Sequence, residues 1–214
     1  MRFIDKVKNC IDKQYGRPKG LIGTYIGEKM VQQHKPETLW TIELLNVNKN
    51  DHILELGCGS GYAMKLILEQ KQVDQVVGFD ISPTVIRTAK IRNKKALNEG
   101  KVKIVQGTVK KLPFEDEVFN KVFSIHSIYF WEDLSDTISE IDRVLSRSGK
   151  LILTLSDGKN GETWEGIRDL IEGKVIPLLK RKGFIDVELI KGPNSREYHT
   201  VAVIGKKSSY NLFI

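Results

Sequence analysis

Three alternate glycines, Gly57, Gly59 and Gly61, follow an apolar stretch and precede a helical pattern. A side chain at these positions would keep the backbone away from a bound ligand. A sharp turn from strand to helix also requires dihedral angles that other residues adopt only with strain. The start of the following helix offers free N–H groups to an anionic or polar ligand. The loop therefore predicts a site for a nucleotide-type cofactor.

The spacing of the glycines narrows the class of cofactor. A dinucleotide fingerprint has the pattern Gly-x-Gly-x-x-Gly, which would place its third glycine where Tyr62 stands, so a nicotinamide-dependent oxidoreductase is disfavoured. An acidic residue, Glu55, precedes the glycines. A second apolar strand ends in Asp80, about twenty residues beyond the loop, where a carboxylate can accept hydrogen bonds from ribose hydroxyls. Two separate features thus indicate the same kind of site.

Together with several later segments, these features resemble the class I S-adenosylmethionine-dependent methyltransferases. The resemblance extends from about Asp51 into the second half of the chain. The closest likeness is to the small-molecule branch that includes the ubiquinone/menaquinone C-methyltransferase-like enzymes. The matching segments are the first motif, the second motif, the adenine-enclosing segment, the fourth strand and the turn before the fifth strand, at 55–61, 78–82, 107–114, 119–123 and 143–150.

The resemblance implies S-adenosyl-L-methionine as the cofactor and S-adenosyl-L-homocysteine as the product. Asp80 would hold the ribose, and Glu55 would bind the ammonium group of the methionine moiety or orient the loop. Two residues depart from the pattern of the branch, because Thr108 replaces an aspartate and Ser148 replaces a proline. The implied cofactor contacts are Glu55, Gly57, Cys58, Gly59, Gly61, Asp80, Ile81, Thr108, Val109, His126 and Arg17, with Ile81 and Val109 enclosing the adenine.

The segment after the fourth predicted strand is where the family brings cofactor and acceptor together. His126 has three readings there: a cofactor contact, which is favoured, a general base near neutral pH, or a histidine whose bonds are satisfied within the loop. Tyr129 and Trp131 are candidates for the wall of an apolar acceptor pocket, although aromatic residues at this density often pack against the following helix. These three residues are the candidates for catalysis and acceptor binding in this segment.

A glycine-rich stretch at 15–25 lies upstream of these motifs and resembles an entry found in some small-molecule members of the family. It is expected to fold over the cofactor as a lid. Arg17 would meet the methionine carboxylate, and Tyr15 or Tyr25 would meet the acceptor. The alternative is that these residues only terminate and pack helices.

Strands and helices alternate strictly after residue 51, which predicts an α/β fold with a doubly wound, mostly parallel sheet. Strands are predicted at 53–56, 76–80, 102–106, 122–126 and 151–156, and helices at 62–69, 83–97, 134–145 and 163–182. Two final strands, at 184–191 and 198–205, are close enough to pair as a hairpin. The resemblance implies a Rossmann-like sheet of seven strands with one antiparallel strand near its edge. Three helices, at 2–14, 21–33 and 36–45, are predicted to precede the sheet.

The length of 214 residues suits one α/β domain with an extension. The predicted division is a helical extension at 1–50, the cofactor-binding methyltransferase domain at 51–207 and a loose tail at 208–214. Cys10 and Cys58 lack a Cys-x-x-Cys spacing, so neither a disulfide nor a metal site is expected. No apolar run approaches the roughly 20 residues of a membrane span, and the start of the chain lacks a secretory apolar stretch. A cytoplasmic protein is therefore expected.

The formal net charge of +7 raises the question of an anionic partner. The positive charges are dense between residues 87 and 111, where they form either an anion-binding patch or the solvated face of a helix. The second reading is favoured because no aromatic residues are interleaved for stacking. The leading hypothesis is a methyltransferase, monomeric or homodimeric, with a small-molecule acceptor. An RNA or protein methyltransferase and a non-catalytic cofactor-binding protein remain the alternatives.

Overall fold

The structure, a computed structural model, describes residue 31, residues 33–70 and residues 73–209. Strands and helices alternate in the predicted order. The first half contains α1 (Lys35–Leu45), β1 (His52–Leu56), α2 (Tyr62–Gln70), β2 (Gln75–Asp80), α3 (Pro83–Arg92), α4 (Lys94–Asn98) and β3 (Val102–Gln106). The second half contains β4 (Phe119–Ile125), a 3-10 turn (Ile128–Phe130), α5 (Leu134–Val144), β5 (Leu145–Lys159), β6 (Glu162–Thr163), α6 (Glu165–Arg168), a π-helical stretch (Asp169–Val175), α7 (Ile176–Arg181), β7 (Phe184–Lys191) and β8 (Tyr198–Lys207).

The strands form a single sheet with the order β3-β2-β1-β4-β5-β8-β7. The first five strands along the chain pair in parallel. Strand β8 runs antiparallel to both of its neighbours. The predicted α/β fold with one antiparallel strand near the edge is confirmed. Because the strand order reverses between β1 and β4, the crevice beyond the carboxyl ends of these two strands is the expected ligand site.

The sheet contains one strand more than predicted. The segment at 157–161, which lies between a predicted strand and a predicted helix, ends β5 and turns into the two-residue strand β6, which pairs with Gly158 and Lys159. The turn between them is Asn160-Gly161, and both residues have positive φ angles, 52° and 84°. This is the combination that closes a tight hairpin between twisted strands, so an Asn-Gly signal for a hairpin was missed.

Strand β5 also begins earlier than predicted, at Leu145 instead of residue 151. Ser148 lies in this early part with a φ angle of 60°. A proline could not adopt this angle, because its ring fixes φ near −65°. The backbone angle at residue 148, in the early part of β5, therefore suits serine and excludes proline.

Two apolar layers cover the two faces of the sheet. One face carries α5 and the helical segment 165–181, with Ile141 and Leu179 fully buried. The other face carries α1, α2 and α3, with Ile42 and Met64 fully buried. Val85, Ile86 and Ala89 of α3 are buried against the sheet, whereas Arg87 and Lys90 are exposed, so the solvated side of this helix carries positive charge as predicted.

Helix α1 is fixed to β5 by two polar contacts from its C-terminal half. Lys150 donates from Nζ to the carbonyl oxygen of Leu44 over 2.6 Å. The hydroxyls of Thr41 and Thr154 are hydrogen-bonded to each other over 2.7 Å. These contacts place the first turn of α1 beside the carboxyl end of β4, where ligands bind in such sheets.

Several predictions lie outside the described residues. They are the helix at 2–14, most of the helix at 21–33, the residues Tyr15, Arg17 and Tyr25, and the tail beyond residue 209. Among the residues that are described, no helix combines the length and apolar character that crossing a bilayer requires.

Candidate functional site

The glycine loop is joined directly to the end of β2. The backbone N–H groups of Gly57 and Cys58 both donate to the carbonyl oxygen of Phe79, over 2.8 and 3.1 Å. Gly57 has a φ angle of 73°, and a Cβ atom there would lie 2.4 Å from the Cβ of Ser127. Only glycine satisfies both the angle and the close approach, so the loop holds β1, β2 and the segment after β4 together.

Asp80 links the loop to the start of α3. Its Oδ2 accepts a hydrogen bond from the backbone N–H of Gly59 over 3.0 Å, and its Oδ1 accepts one from the N–H of Ser82 over 2.8 Å. Burial raises the pKa of Asp80, and these two backbone hydrogen bonds lower it by less. Gly59 has a φ angle of 51°, and a Cβ atom there would meet nothing within 4 Å. Open space beside a carboxylate and a bare backbone suits a bound ribose.

Glu55 lies beneath the loop and is only 4% exposed. Its Oε2 has no hydrogen-bond partner. Burial, and then the charge of Asp80, raise the pKa of Glu55 well above its ordinary value. A buried carboxyl oxygen without a donor is costly, and an ammonium group in the cleft would satisfy it. The site therefore fits the amino group of a methionine moiety.

Cys58 is buried in the same loop. Burial raises the pKa of its thiol well above the ordinary value, and the nearby Glu55 and Asp80 carboxyls add to the effect. The thiol is therefore protonated and a poor nucleophile at neutral pH. This agrees with an interpretation in which Cys58 serves the loop through its backbone.

A cleft opens above these residues, with about 870 Å³ of empty space that is partly continuous with solvent. Six of the residues predicted for the site line this cleft. They are Glu55, Gly57, Cys58, Gly59, Asp80 and His126. The other described residues that line it are Val31, His34, Thr38, Ser60, Tyr62, Ala63, Val85, Ile125, Ser127 and Phe130.

Four predicted cofactor residues lie beside the cleft and do not line it. Gly61 directly precedes α2, and a Cβ atom there would lie 2.6 Å from Nδ2 of Asn93, so this glycine allows close packing against Asn93. Ile81 is 39% exposed, Thr108 is exposed, and Val109 packs partly against the core. The last three follow β2 and β3 at the same sheet edge as Asp80, and their contact with the adenine stays a prediction.

The segment after β4 is organised by Ser127. The hydroxyl of Ser127 donates to the carbonyl oxygen of Leu56 over 3.1 Å and accepts a hydrogen bond from Nε1 of Trp131 over 3.2 Å. The hydroxyl of Tyr129 bonds both to the N–H and to the carbonyl of Ser156, and burial raises its pKa. Tyr129 and Trp131 therefore have structural partners and do not line the cleft. Their assignment to the acceptor stays a prediction.

Phe130 is the aromatic residue of this segment that does line the cleft, and it is 53% exposed. The residues of this segment predicted for the acceptor were its two neighbours, Tyr129 and Trp131. The difference arises because 128–130 form a 3-10 turn, whose three residues per turn point successive side chains in different directions. No periodicity within three residues could have identified the one that faces the cleft.

His126 has a φ angle of 55°, and its backbone N–H donates to the carbonyl oxygen of Thr154 over 2.9 Å. Burial lowers the pKa of His126, with the charges of His34 and Arg196 adding to the effect, while Glu37 opposes it. A neutral imidazole at pH 7 can accept a proton or a ligand. This keeps both the cofactor-contact and the general-base readings open.

Two residues at the start of α1 lie next to His126, and neither was predicted as a site residue. His34 occupies the N-cap position of α1, and Glu37 lies in its first turn and is only 1% exposed. Burial raises the pKa of Glu37, but the contacts of its carboxylate with His126 and His34 outweigh this and hold the pKa well below the usual range. No local pattern tells which strand a helix crosses, so the sequence did not reveal this grouping.

Comparison with known proteins gives a consistent family. Residues 54–153 match the family model described as methyltransferase domain. The chain is 28% identical over 187 residues to the uncharacterized methyltransferase YdaC of Bacillus subtilis, covering 87% of this chain and 98% of that protein. It is 31% identical over 150 residues to YrhH of the same organism, also described as a methyltransferase, covering 70% of this chain and 77% of that protein.

More distant similarities add proteins with a stated substrate or ligand. The chain is 32% identical over 136 residues to a demethylmenaquinone methyltransferase of Leptospira interrogans, covering 63% of this chain and 54% of that protein. A solved structure of phosphoethanolamine N-methyltransferase 2 of Haemonchus contortus, in complex with S-adenosyl-L-methionine, has a TM-score of 0.66 and 18% identity. That alignment covers 80% of this chain and 52% of the other, and it shows a shared fold.

Proposed function

The chain belongs to the class I S-adenosylmethionine-dependent methyltransferases, and we propose that it transfers the sulfonium methyl group of this cofactor to a small-molecule acceptor bound in the same cleft. S-adenosyl-L-homocysteine is the product that follows from this transfer. The observation that carries the proposal is the lining of the cleft. Polar cofactor-binding groups follow β1 and β2, whereas an aromatic residue follows β4.

At the cofactor end, the surroundings of three residues support the roles proposed for them. The Asp80 carboxylate, whose orientation is fixed by two backbone N–H groups, would accept hydrogen bonds from the ribose hydroxyls. Gly59 leaves the space that the ribose and the methionine moiety need. The unpartnered Oε2 of Glu55 is free to accept a hydrogen bond from the ammonium group. We infer no part for the thiol of Cys58.

At the acceptor end, the cleft is lined by Val31, Ile125 and Phe130. This apolar wall supports an acceptor with a substantial apolar part. The similarity to a demethylmenaquinone methyltransferase supports the same class and keeps the menaquinone-like branch as the finer proposal. The identity of the methylated atom does not follow from these residues.

The reaction needs little acid or base from the protein, because the sulfonium supplies an already activated methyl group. The task of the chain is to hold the acceptor atom about 3 to 3.5 Å behind the methyl carbon, in line with the bond that breaks, and to exclude water. Gly57 and Ser127 line the cleft in close contact with each other. If the acceptor is a hydroxyl or an amine, His126, whose pKa is lowered, is the candidate base for the proton it loses, provided that Nε2 of His126 holds no other ligand.

The proposal is tested by following the release of S-adenosyl-L-homocysteine. The full-length chain would be incubated with S-adenosyl-L-methionine and separate panels of apolar small molecules, RNA and peptides. Multiple turnovers with a member of the first panel, lost in Asp80→Ala, are expected. Turnover with RNA or peptides alone would favour the rival acceptor class. Cofactor binding without turnover in any panel would contradict the proposed activity and favour a non-catalytic cofactor-binding protein.

A further inference from the structure

Two histidines and one glutamate converge where α1 meets the end of β4. Nδ1 of His34 lies 3.2 Å from Oε1 of Glu37, and Nε2 of His126 lies 3.6 Å from the same oxygen. Taken with the separation of the two imidazoles, the three potential ligand atoms all lie within 4.8 Å of one another. The two imidazole rings have centroids 4.3 Å apart. These are separations that a single bound ion can bridge.

The bonding of this cluster, which we call the His-Glu-His cluster, is incomplete. Oε2 of Glu37 and Nε2 of His126 are both buried, and neither has a hydrogen-bond partner. The distance of 3.6 Å between His126 and Glu37 is too long for a hydrogen bond. Oε1 of Glu37 is hydrogen-bonded to Nδ1 of His34 over 3.2 Å, so the carboxylate has a partner on one oxygen only. A buried carboxylate bonded at one oxygen and a buried imidazole nitrogen without a partner are costly to maintain. A cation bound between Oε1 of Glu37 and Nε2 of His126 would satisfy the nitrogen and compensate the charge of the carboxylate.

We propose that His34, Glu37 and His126 bind a divalent transition-metal cation, with Zn²⁺ as the ion that fits best. Two imidazole nitrogens and one carboxylate oxygen form a ligand set used by zinc sites that keep a fourth position open. In a tetrahedral site with bonds of about 2.0 to 2.2 Å, ligand atoms are about 3.4 Å apart. Two of the separations already have this size. The third separation, between Nδ1 of His34 and Nε2 of His126, would reach this size after a small rotation of His34, which is the more exposed of the two histidines.

The surroundings of His126 favour the required tautomer. Its Nδ1 lies 3.5 Å from the hydroxyl of Tyr129, and that hydroxyl is fixed by the backbone of Ser156. A proton on Nδ1, directed at the tyrosine oxygen, leaves the lone pair of Nε2 directed at Glu37. Metal-binding histidines are oriented in this way by a partner for their second nitrogen. The buried Tyr129 thus acquires a positioning role.

The cluster opens into the cleft of the proposed active site. His34, Thr38 and His126 all line that cleft, whereas Glu37 closes the cluster from behind. A fourth coordination position on the open side would hold water or a donor atom of a molecule in the cleft. A metal ion there would offer a polar contact to the acceptor, next to the apolar residues Val31, Ile125 and Phe130. This last consequence rests on the proposed function, but binding of the metal does not.

The test uses the full-length chain after treatment with a chelator, titrated with Zn²⁺ in competition with a chromophoric chelator. Co²⁺ substitution would report the ligand field by its d–d absorption. The variants are Glu37→Gln and His34→Gln. The control is His52→Gln, which removes an exposed histidine at the start of β1, at the opposite end of the sheet. Binding of S-adenosyl-L-homocysteine, measured on every variant, reports whether the domain is folded.

We expect one Zn²⁺ per chain, with at least about 100-fold weaker binding in Glu37→Gln and His34→Gln and unchanged binding in His52→Gln. If Glu37→Gln does not fold, the stoichiometry of the parent and the affinity of His34→Gln decide the outcome. Absence of stoichiometric Zn²⁺ binding, or equal affinity in His34→Gln and the parent, would overturn the metal site. If the protein still binds S-adenosyl-L-homocysteine, that result would not contradict the proposed methyltransferase function.

Discussion

The backbone N–H of Gly59 donates a hydrogen bond to Oδ2 of Asp80 over 3.0 Å, which joins the glycine loop after β1 to the residue that ends β2. The two residues are far apart in sequence and are brought together by the parallel pairing of β1 with β2. A ligand that displaces or shares this bond meets bare backbone on one side and a carboxylate on the other. The proposed cofactor site therefore combines residues from two strand ends.

Glu55 and Asp80 should recognise different parts of the cofactor, and a pair of ligands separates them. We predict that Glu55→Gln weakens binding of S-adenosyl-L-homocysteine by about 10-fold or more, because a hydrogen bond to a charged group contributes about 1.5 to 3 kcal/mol. Binding of 5′-methylthioadenosine, which lacks the amino acid part, should change little. Calorimetric titration of both ligands measures the difference. Equal losses for the two ligands would contradict a contact between Glu55 and the ammonium group.

Cofactor binding should depend on pH through Asp80. Burial raises the pKa of Asp80 above its ordinary value of 3.8, and only the ionised carboxylate accepts hydrogen bonds from both ribose hydroxyls. The affinity for 5′-methylthioadenosine should therefore fall as the pH falls through the raised pKa of Asp80. Bound ligand should in turn shift this pKa downward. Asp80→Asn should bind weakly at all pH values with a flatter profile, and an equally steep profile in that variant would contradict the assignment.

The close approach at Gly57 gives a prediction about stability. In Gly57→Ala, strain from a φ angle of 73° adds to a clash with Ser127, and we expect the free energy of unfolding to fall by about 2 to 5 kcal/mol. Gly100→Ala is the matched control, since Gly100 has a φ angle of 72° and nothing within 4 Å of a Cβ atom. Its loss should be about 1 to 2 kcal/mol, from strain alone. Urea denaturation would compare the two, and losses of equal size would show that the contact with Ser127 is unimportant.

Phe130 should affect the acceptor and leave the cofactor nearly untouched. Because its ring lines the cleft and is half exposed, Phe130→Ala should raise the KM for an apolar acceptor about 10-fold without altering the affinity for S-adenosyl-L-homocysteine. Ile91→Ala, which removes a side chain that is 71% exposed on α3, should change neither quantity. Steady-state kinetics and calorimetry provide the two measurements. An unchanged KM in Phe130→Ala would remove Phe130 from the acceptor site.

The sequence predicted the strand order along the chain and six of the residues that line the cleft, because both depend on short-range patterns. Alternating apolar strands and amphipathic helices define the fold class, and the glycine loop and Asp80 mark two strand ends that parallel pairing must bring together. The hairpin at Asn160-Gly161 could also have been predicted from the sequence, because this dipeptide is a strong turn signal.

The rest of the site depends on contacts between elements that are distant in sequence. Whether Tyr129, Phe130 or Trp131 faces the cleft is decided by hydrogen bonds to Ser127 and Ser156, which no local pattern encodes. The His-Glu-His cluster arises because α1 packs on the sheet with its first turn beside the end of β4, in a position fixed by contacts with β5 such as that between Thr41 and Thr154. A sequence without its tertiary packing does not specify either arrangement.

The most direct test of the cofactor site is calorimetric titration of the parent chain, Asp80→Ala and Asp74→Asn with S-adenosyl-L-methionine, S-adenosyl-L-homocysteine and NAD. Asp74 is an exposed acid at the opposite end of β2, so it controls for loss of charge. We predict micromolar binding of both sulfur-containing ligands to the parent and Asp74→Asn, binding at least about 10-fold weaker in Asp80→Ala, and none of NAD. Absence of binding to the parent, or equal binding to Asp80→Ala, would contradict the cofactor site described above.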